Sequence, residues 1–271
     1  MERAVEVGSY KDSPLERWIA FQNQIVGQGN VSSDGTMILI REEGWKEVKI
    51  AAFSQVDLLP PHHPDRRKAQ CEGAAGQTDA IRLSQHSYCA GLWDADTFSP
   101  YQYVEGLRRG FDLLARVTDM NFPYVQQIVD WGHGVEHVWA VGNAVFGEGT
   151  PEAVSWVKQC ETELWEGNVE TVVESLQYME LDSDAYPDVV QQAPGYFGDR
   201  VELMRYAAFR EAGHPVGNGT VESAARNVVQ SRMRRPGREW ARENADVMLA
   251  ALGEFHSGRL NDTWQSVSTA A

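Results

Sequence analysis

The sequence predicts an α/β domain interrupted by an acidic helical stretch. Three observations predict it. Two runs rich in branched residues, Val31–Ile40 and Glu47–Phe53, lie close together with Glu43-Gly44 between them. Proline-started segments with helical spacing follow them. From Glu148 to Glu211 there are then 14 acidic residues against Lys158, Arg200, Arg205 and Arg210. Strands followed by helices, with further helices closing the chain, fit an α/β core carrying an insertion.

The elements follow in order. Val31–Ile40 and Glu47–Phe53 read as two strands of a hairpin, because branched residues suit a pleated, half-buried surface. Pro60–Gly76 reads as a loop. Ser87–Leu92 is a third candidate strand. Ser99 reads as an N-cap with Pro100 at the first helical position, and Tyr103, Leu107, Phe111 and Leu114 then recur at helical spacing. Gln126–Trp131 reads as a short buried strand. His133–Phe146 reads as a helix stopped by Gly147, and Thr150-Pro151 starts another by the same cap logic. The span to about Gly213 reads as helical, with interruptions at Pro187 and Pro194. Val221–Met233 and Trp240–Phe255 read as the last two helices.

The 271 residues can bury a substantial core. Cys71, Cys89 and Cys160 form no CxxC pair, which fits a reducing cytosol and opposes a disulfide scaffold. The opening segment MERAVEVGSYKDSPLERW lacks the apolar run of a signal peptide, and no stretch is apolar enough to span a membrane. A cytoplasmic location is therefore expected. The net charge of −15 opposes phosphate binding, except that Arg226, Arg232, Arg234, Arg235, Arg238 and Arg242 are clustered. Such a cluster is either a solvated helix face or a phosphate contact. Trp93, Trp131, Trp139, Trp156, Trp165, Trp240 and Trp264 read as core rather than base-stacking residues.

Three short blocks carry chemistry. They are Asp34-Gly35-Thr36, Asp130-Trp131-Gly132-His133, and Gly217-Asn218-Gly219-Thr220-Val221-Glu222-Ser223. Acids at strand ends and helix starts can converge on hard cations. On the last helix, Val221, Ala224, Ala225, Val228 and Val229 share one face, with Glu222 at its edge. Simpler readings stand beside these. Asp-Gly is a common turn pair, and a first-turn glutamate favours the helix dipole. His133-Gly134-Val135-Glu136-His137 also matches H-x-x-E-H, in which two histidines one turn apart bind zinc and Glu136 acts as base.

The blocks VSSDGTMILIREEGWKEVKIAAFSQ, HSYCAGLWDADTF, VQQIVDWGHGVEHVWAVGNAVFGEGTPEA and APGYFGDRVELMRYAAFREAGHPVGNGTVESAARNVVQSRMRRPGREW, with MLAALGEFHSGR, resemble one group of bacterial insertion-sequence transposases. These are DDE enzymes with a ribonuclease H-like fold and a helical insertion before the last acid. The resemblance implies a mixed sheet with flanking helices. It implies a short N-terminal remnant (1–30), a catalytic core (31–147 and 214–271) and an acidic helical insertion (148–213). It also implies DNA transposition and recombination by a mobile element's enzyme, with Mg²⁺ or Mn²⁺ held by Asp34 and Glu222. Asp130 and His133 correspond to the D-x-x-H signature. Arg226, Arg232, Arg234, Arg235 and Arg238 fall where DNA contact is expected. Transposon ends and target DNA are the implied partners, a homodimer is compatible with the family, and a nucleoid-associated location follows.

Two departures accompany the resemblance. The family carries its second catalytic aspartate in an Asp-Gly block, followed by a helix, ahead of the QIVDW segment. Here LLARV runs straight into TDMNFPYVQQIVDW. Thr118–Val125 is shorter than the roughly 10 to 12 residues that a crossover with its helix requires. This reads as an internal deletion, leaving Asp119 or Asp130 as doubtful substitutes. Only about thirty residues precede Asp34, too few for an ordinary independent DNA-binding domain. The expectation is a degenerate transposase, with a non-catalytic DNA-binding remnant as the close alternative.

Overall fold

The computed structural model describes residues 28–59, 81–109, 126–179, 186–217 and 219–270. The chain divides into two units. The first comprises residues 1–57, 83–125 and 219–271, and the second 58–82 and 126–218.

The first unit is built on a three-stranded antiparallel sheet. Its strands are β1 (Gln28–Ile40), β2 (Gly44–Leu58) and β3 (Ile81–Gly91), in that spatial order. β1 and β2 form a hairpin that turns at Arg41–Glu43 and pairs Ile40 with Gly44 through to Gln28 with Val56. β2 is the central strand. This explains the uninterrupted burial of Ile50–Ser54: both of its faces are covered.

Alternation sends the two faces to different partners. Ile38, Ile40, Val48, Ile50, Ala52 and Ala90 pack under Val221, Ala224, Ala225, Val228, Val229, Met233, Ala245 and Leu249. Ala51 and Phe53, with Val31, Cys89 and Trp93, pack against Phe98 of α1 (Ala95–Arg108). The apolar helix face read from sequence is thus the buried one. It belongs to a helix of three consecutive segments: α7 (Gly219–Ala224), a π-helical stretch Ala225–Gln230, and α8 (Ser231–Met233). Then come α9 (Arg242–His256) and α10 (Leu260–Ala270), the latter beyond the last helix that the sequence pattern predicts.

The second unit is helical. It contains α2 (Trp131–Phe146), α3 (Pro151–Glu166), α4 (Val169–Tyr178), α5 (Asp188–Gly198), a 3₁₀ turn Val201–Leu203, and α6 (Tyr206–Glu211). Its core includes Val138, Val157, Leu164, Leu176, Phe197, Met204 and Tyr206. Thr150 caps α3 by accepting from the Ala153 amide at 3.2 Å, with Pro151 in the first turn, as the sequence predicts.

Four expectations need correction. Gln126–Trp131 is not a strand: Gln126–Asp130 has no regular structure and Trp131 begins α2. The amides of Val129 and Trp131 bond the carbonyls of Leu203 and Val216, so they are not left for a sheet. Among the described residues the sheet is antiparallel rather than mixed, and an isolated parallel bridge joins Ile40 and Trp240. α1 starts at Ala95, because Asp94 accepts from the Thr97 amide at 2.7 Å and Phe98 must reach the sheet. Pro187 stands at the head of α5 as a boundary, but Pro194 lies inside that helix rather than ending it. Phe111, Leu114, Cys71 and the loop Pro60–Gly76 lie outside the described residues.

Candidate nucleic-acid interface

Asp34 lies in the middle of β1, opposite Ile50, and not in a turn. Its carboxylate is exposed and accepts from the following Gly35 amide at 2.7 Å. By strand alternation it shares a face with Thr36, Ile38 and Ile40, the face that α7 and its π-helical continuation cover. Gln230 ties the two together by donating to the buried Thr36 hydroxyl at 2.8 Å. Glu222 is in the first turn of α7 and is exposed. The helix-dipole role therefore remains open to it, whereas the turn role is closed to Asp34.

A polar stripe runs along this helix away from the sheet. Glu222, Ser223, Arg226 and Asn227 are exposed, and Asn227 donates to the Ser223 hydroxyl at 3.0 Å. The helix ends at Arg234, and Gly237, at φ 72°, turns the chain towards the Trp240 bridge. Arg226, Arg232, Arg234, Arg235 and Arg238 are all exposed. Arg235 donates to the Ser231 carbonyl at 2.7 Å and Arg238 to the Arg232 carbonyl at 3.1 Å. These bonds cap helix carbonyls without neutralising charge. Arg234 lies over the ring of Trp45, 5.5 Å from its centroid.

Among the described residues, none of these five arginines has a carboxylate partner. Others in the chain do. Arg242 holds Glu43 bidentately at 2.8 and 2.6 Å and keeps its carboxyl below the usual range. Arg205 binds Glu170 and Glu202. Arg41 and Arg200 likewise have no carboxylate partner among the described residues, so what distinguishes the five is that they lie together along one helix and the loop that follows it.

The D-x-x-H block belongs to the second unit. Asp130 caps α2, its side chain accepting from the His133 amide at 2.8 Å. Trp131 packs edge-on against Trp165 and Tyr206. His137 stacks on Tyr196, with ring centroids 3.8 Å apart, and burial followed by the His133 charge lowers its pKa. Glu136 sits 3.7 Å from His133. The histidine engaged by an aromatic ring is a packed side chain. Among the described residues, no group of three or more His, Cys, Asp or Glu is placed to hold a metal ion. The zinc-peptidase arrangement therefore has no completed ligand set there. Asp119 lies outside the described residues.

The buried Tyr206 hydroxyl has no hydrogen-bond partner among the described residues, and burial pushes its pKa upward, so it stays neutral. Tyr206→Phe is expected to leave the melting temperature unchanged or to raise stability by up to about 1 kcal/mol. A clear loss of stability on thermal unfolding would show that the hydroxyl is bonded.

Sequence reasoning passes over Trp45, which is 54% exposed; its alternation with Glu47 and Lys49 is the signal that could find it. Trp264 is 74% exposed and is not core. Among the described residues, no helix is long and apolar enough to cross a membrane. Comparison with family models, curated proteins and solved structures finds none that matches this chain.

Proposed function

We propose that this chain is a transposase-type protein with a ribonuclease H-like core, which binds DNA through the arginines following Glu222 and whose catalytic set is incomplete. The observation that carries this reading is the row of five exposed, uncompensated arginines in a chain of net charge −15. Such a chain has carboxylates to spare, so five guanidinium groups along one helix and its following loop with no carboxylate partner among the described residues suit an anionic partner. The resemblance around Asp34 and Glu222 names that partner as DNA, and the shared sheet face supports treating the two acids as one site.

Asp34 and Glu222 offer the hard oxygen donors that Mg²⁺ or Mn²⁺ requires. Two carboxylates are fewer than the three positions of the family. Among the described residues no group of three or more His, Cys, Asp or Glu side chains is placed to hold a cation, so the set does not fit a complete two-metal centre.

The test is binding of a random-sequence duplex across a salt series. Arg234→Ala combined with Arg235→Ala is expected to weaken binding and to lower the salt slope by about two units, one per phosphate contact. Unchanged affinity and slope would remove this surface from consideration.

A further inference from the structure

We infer that Trp45 is a stacking platform for an unpaired base, so that the arginine surface takes single-stranded DNA in addition to duplex. The inference rests on the DNA-binding reading above. Its ground is the placement of Trp45. The residue stands at the start of β2, opposite Leu39 and beside the hairpin turn. It is 54% exposed and belongs to none of the three buried clusters. The Arg234 guanidinium sits over its ring. Arg232 and Arg235, on either side of Met233 and Arg234 in the sequence, are exposed and lack carboxylate partners among the described residues.

Each part has a use. The cation is attracted to the negative face of the indole and orients it. The exposure leaves ring surface that a nucleobase can cover. The adjacent guanidinium groups provide for the phosphates on either side of that base. Aromatic rings within a basic surface are the recurring solution for single strands, because every base has a π-face whereas a duplex hides its own. Glu47, on the same side of the hairpin, is paired with Lys49 at 2.9 Å, which offsets its charge.

The experiment measures binding of full-length wild type and Trp45→Ala to oligothymidylate, to a random-sequence duplex and to heparin, a polyanion without bases. Trp45→Ala is expected to weaken oligothymidylate binding by about tenfold to a hundredfold. Duplex affinity, heparin affinity and the salt slope should stay as in wild type, and Trp45→Phe should restore most of the loss. Circular dichroism of the variants checks that the fold is retained. Unchanged oligothymidylate affinity, or an equal loss on heparin, overturns the inference. Wild type that binds duplex but not oligothymidylate overturns this inference alone. Wild type that binds neither overturns the DNA reading itself.

Discussion

Replacing Arg259 with alanine is expected to destabilise the first unit by about 3–5 kcal/mol. Arg259 follows Gly258, whose φ of 74° ends α9 in the left-handed conformation. The amides of Gly258 and Arg259 return to the carbonyls of Phe255 and Glu254, fixing the residue in place. Its guanidinium then holds Glu105 of α1 at 2.8 and 3.0 Å and Glu254 of α9 at 3.0 and 3.1 Å. The Glu105 side chain is only 3% exposed. Removing Arg259 leaves that carboxylate buried with Arg108, at 3.5 Å, and the charge of the neighbouring Arg109 as weaker partners. The cost is the desolvation of an unmatched charge rather than the loss of a contact.

The pH dependence follows from the same cluster. Burial raises the pKa of Glu254, but hydrogen bonding and the charge of Arg259 outweigh it and leave the carboxyl below its ordinary value of 4.5. A depressed carboxyl adds stability above its unfolded pKa and loses it as pH falls through the folded value. Wild type should therefore lose stability below about pH 4.5, and Arg259→Ala should lose less over that window. Urea unfolding at neutral and acid pH measures both. A destabilisation under about 1 kcal/mol would mean that solvent or Arg108 already satisfies Glu105. Glu105→Leu combined with Arg259→Met should recover most of the loss, since a packed apolar pair does not carry the desolvation penalty.

This network shows where sequence reading stops. Glu105 and Arg259 are 154 positions apart, and neither belongs to a pattern that periodicity can detect. The hairpin is legible because two runs of branched residues, Val31–Ile40 and Glu47–Phe53, flank Glu43-Gly44. The start of α3 is legible because Thr150 and Pro151 punctuate it locally, whereas its end at Gly167, at φ 84°, falls unread within a span that reads as helical to about Gly213. Gln126–Trp131 misleads because a short apolar run fits a buried strand and a packed coil equally well. Ser99-Pro100 misleads because Asp94 offers a competing cap earlier in the chain, and packing of Phe98 with Phe53 favours the longer helix. At the candidate site, Asp34 and Glu222 stand out through their blocks. That Asp34 lies mid-strand depends on its pairing with Ile50, against the local turn preference of Asp-Gly. The uncompensated state of the five arginines is not legible, since it depends on where every carboxylate lies.

The largest effect expected is on DNA cleavage: this chain should show no Mg²⁺- or Mn²⁺-dependent cutting of matched transposon-end DNA beyond that of Asp34→Ala. In-line phosphoryl transfer needs carboxylates that fix cations on both sides of the reacting phosphate, and losing one ligand costs orders of magnitude in rate. On the proposed reading, Asp34 and Glu222 supply two. Asp130 caps α2 by accepting from the His133 amide and belongs by pattern to the D-x-x-H block. Asp119 is followed by Met120 and Asn121 rather than the Asp-Gly block, and Thr118–Val125 is too short for the missing crossover. A chain that binds DNA through its arginines but does not cut it would still occupy transposon ends. The two activities should therefore separate, with duplex binding intact and cleavage at the level of the Asp34→Ala control. Robust cleavage that vanishes in that control would show that another acid completes the set. Asp119→Ala and Asp130→Ala, assayed separately, would then identify which one, and retained helicity of Asp130→Ala would distinguish a lost ligand from a lost cap.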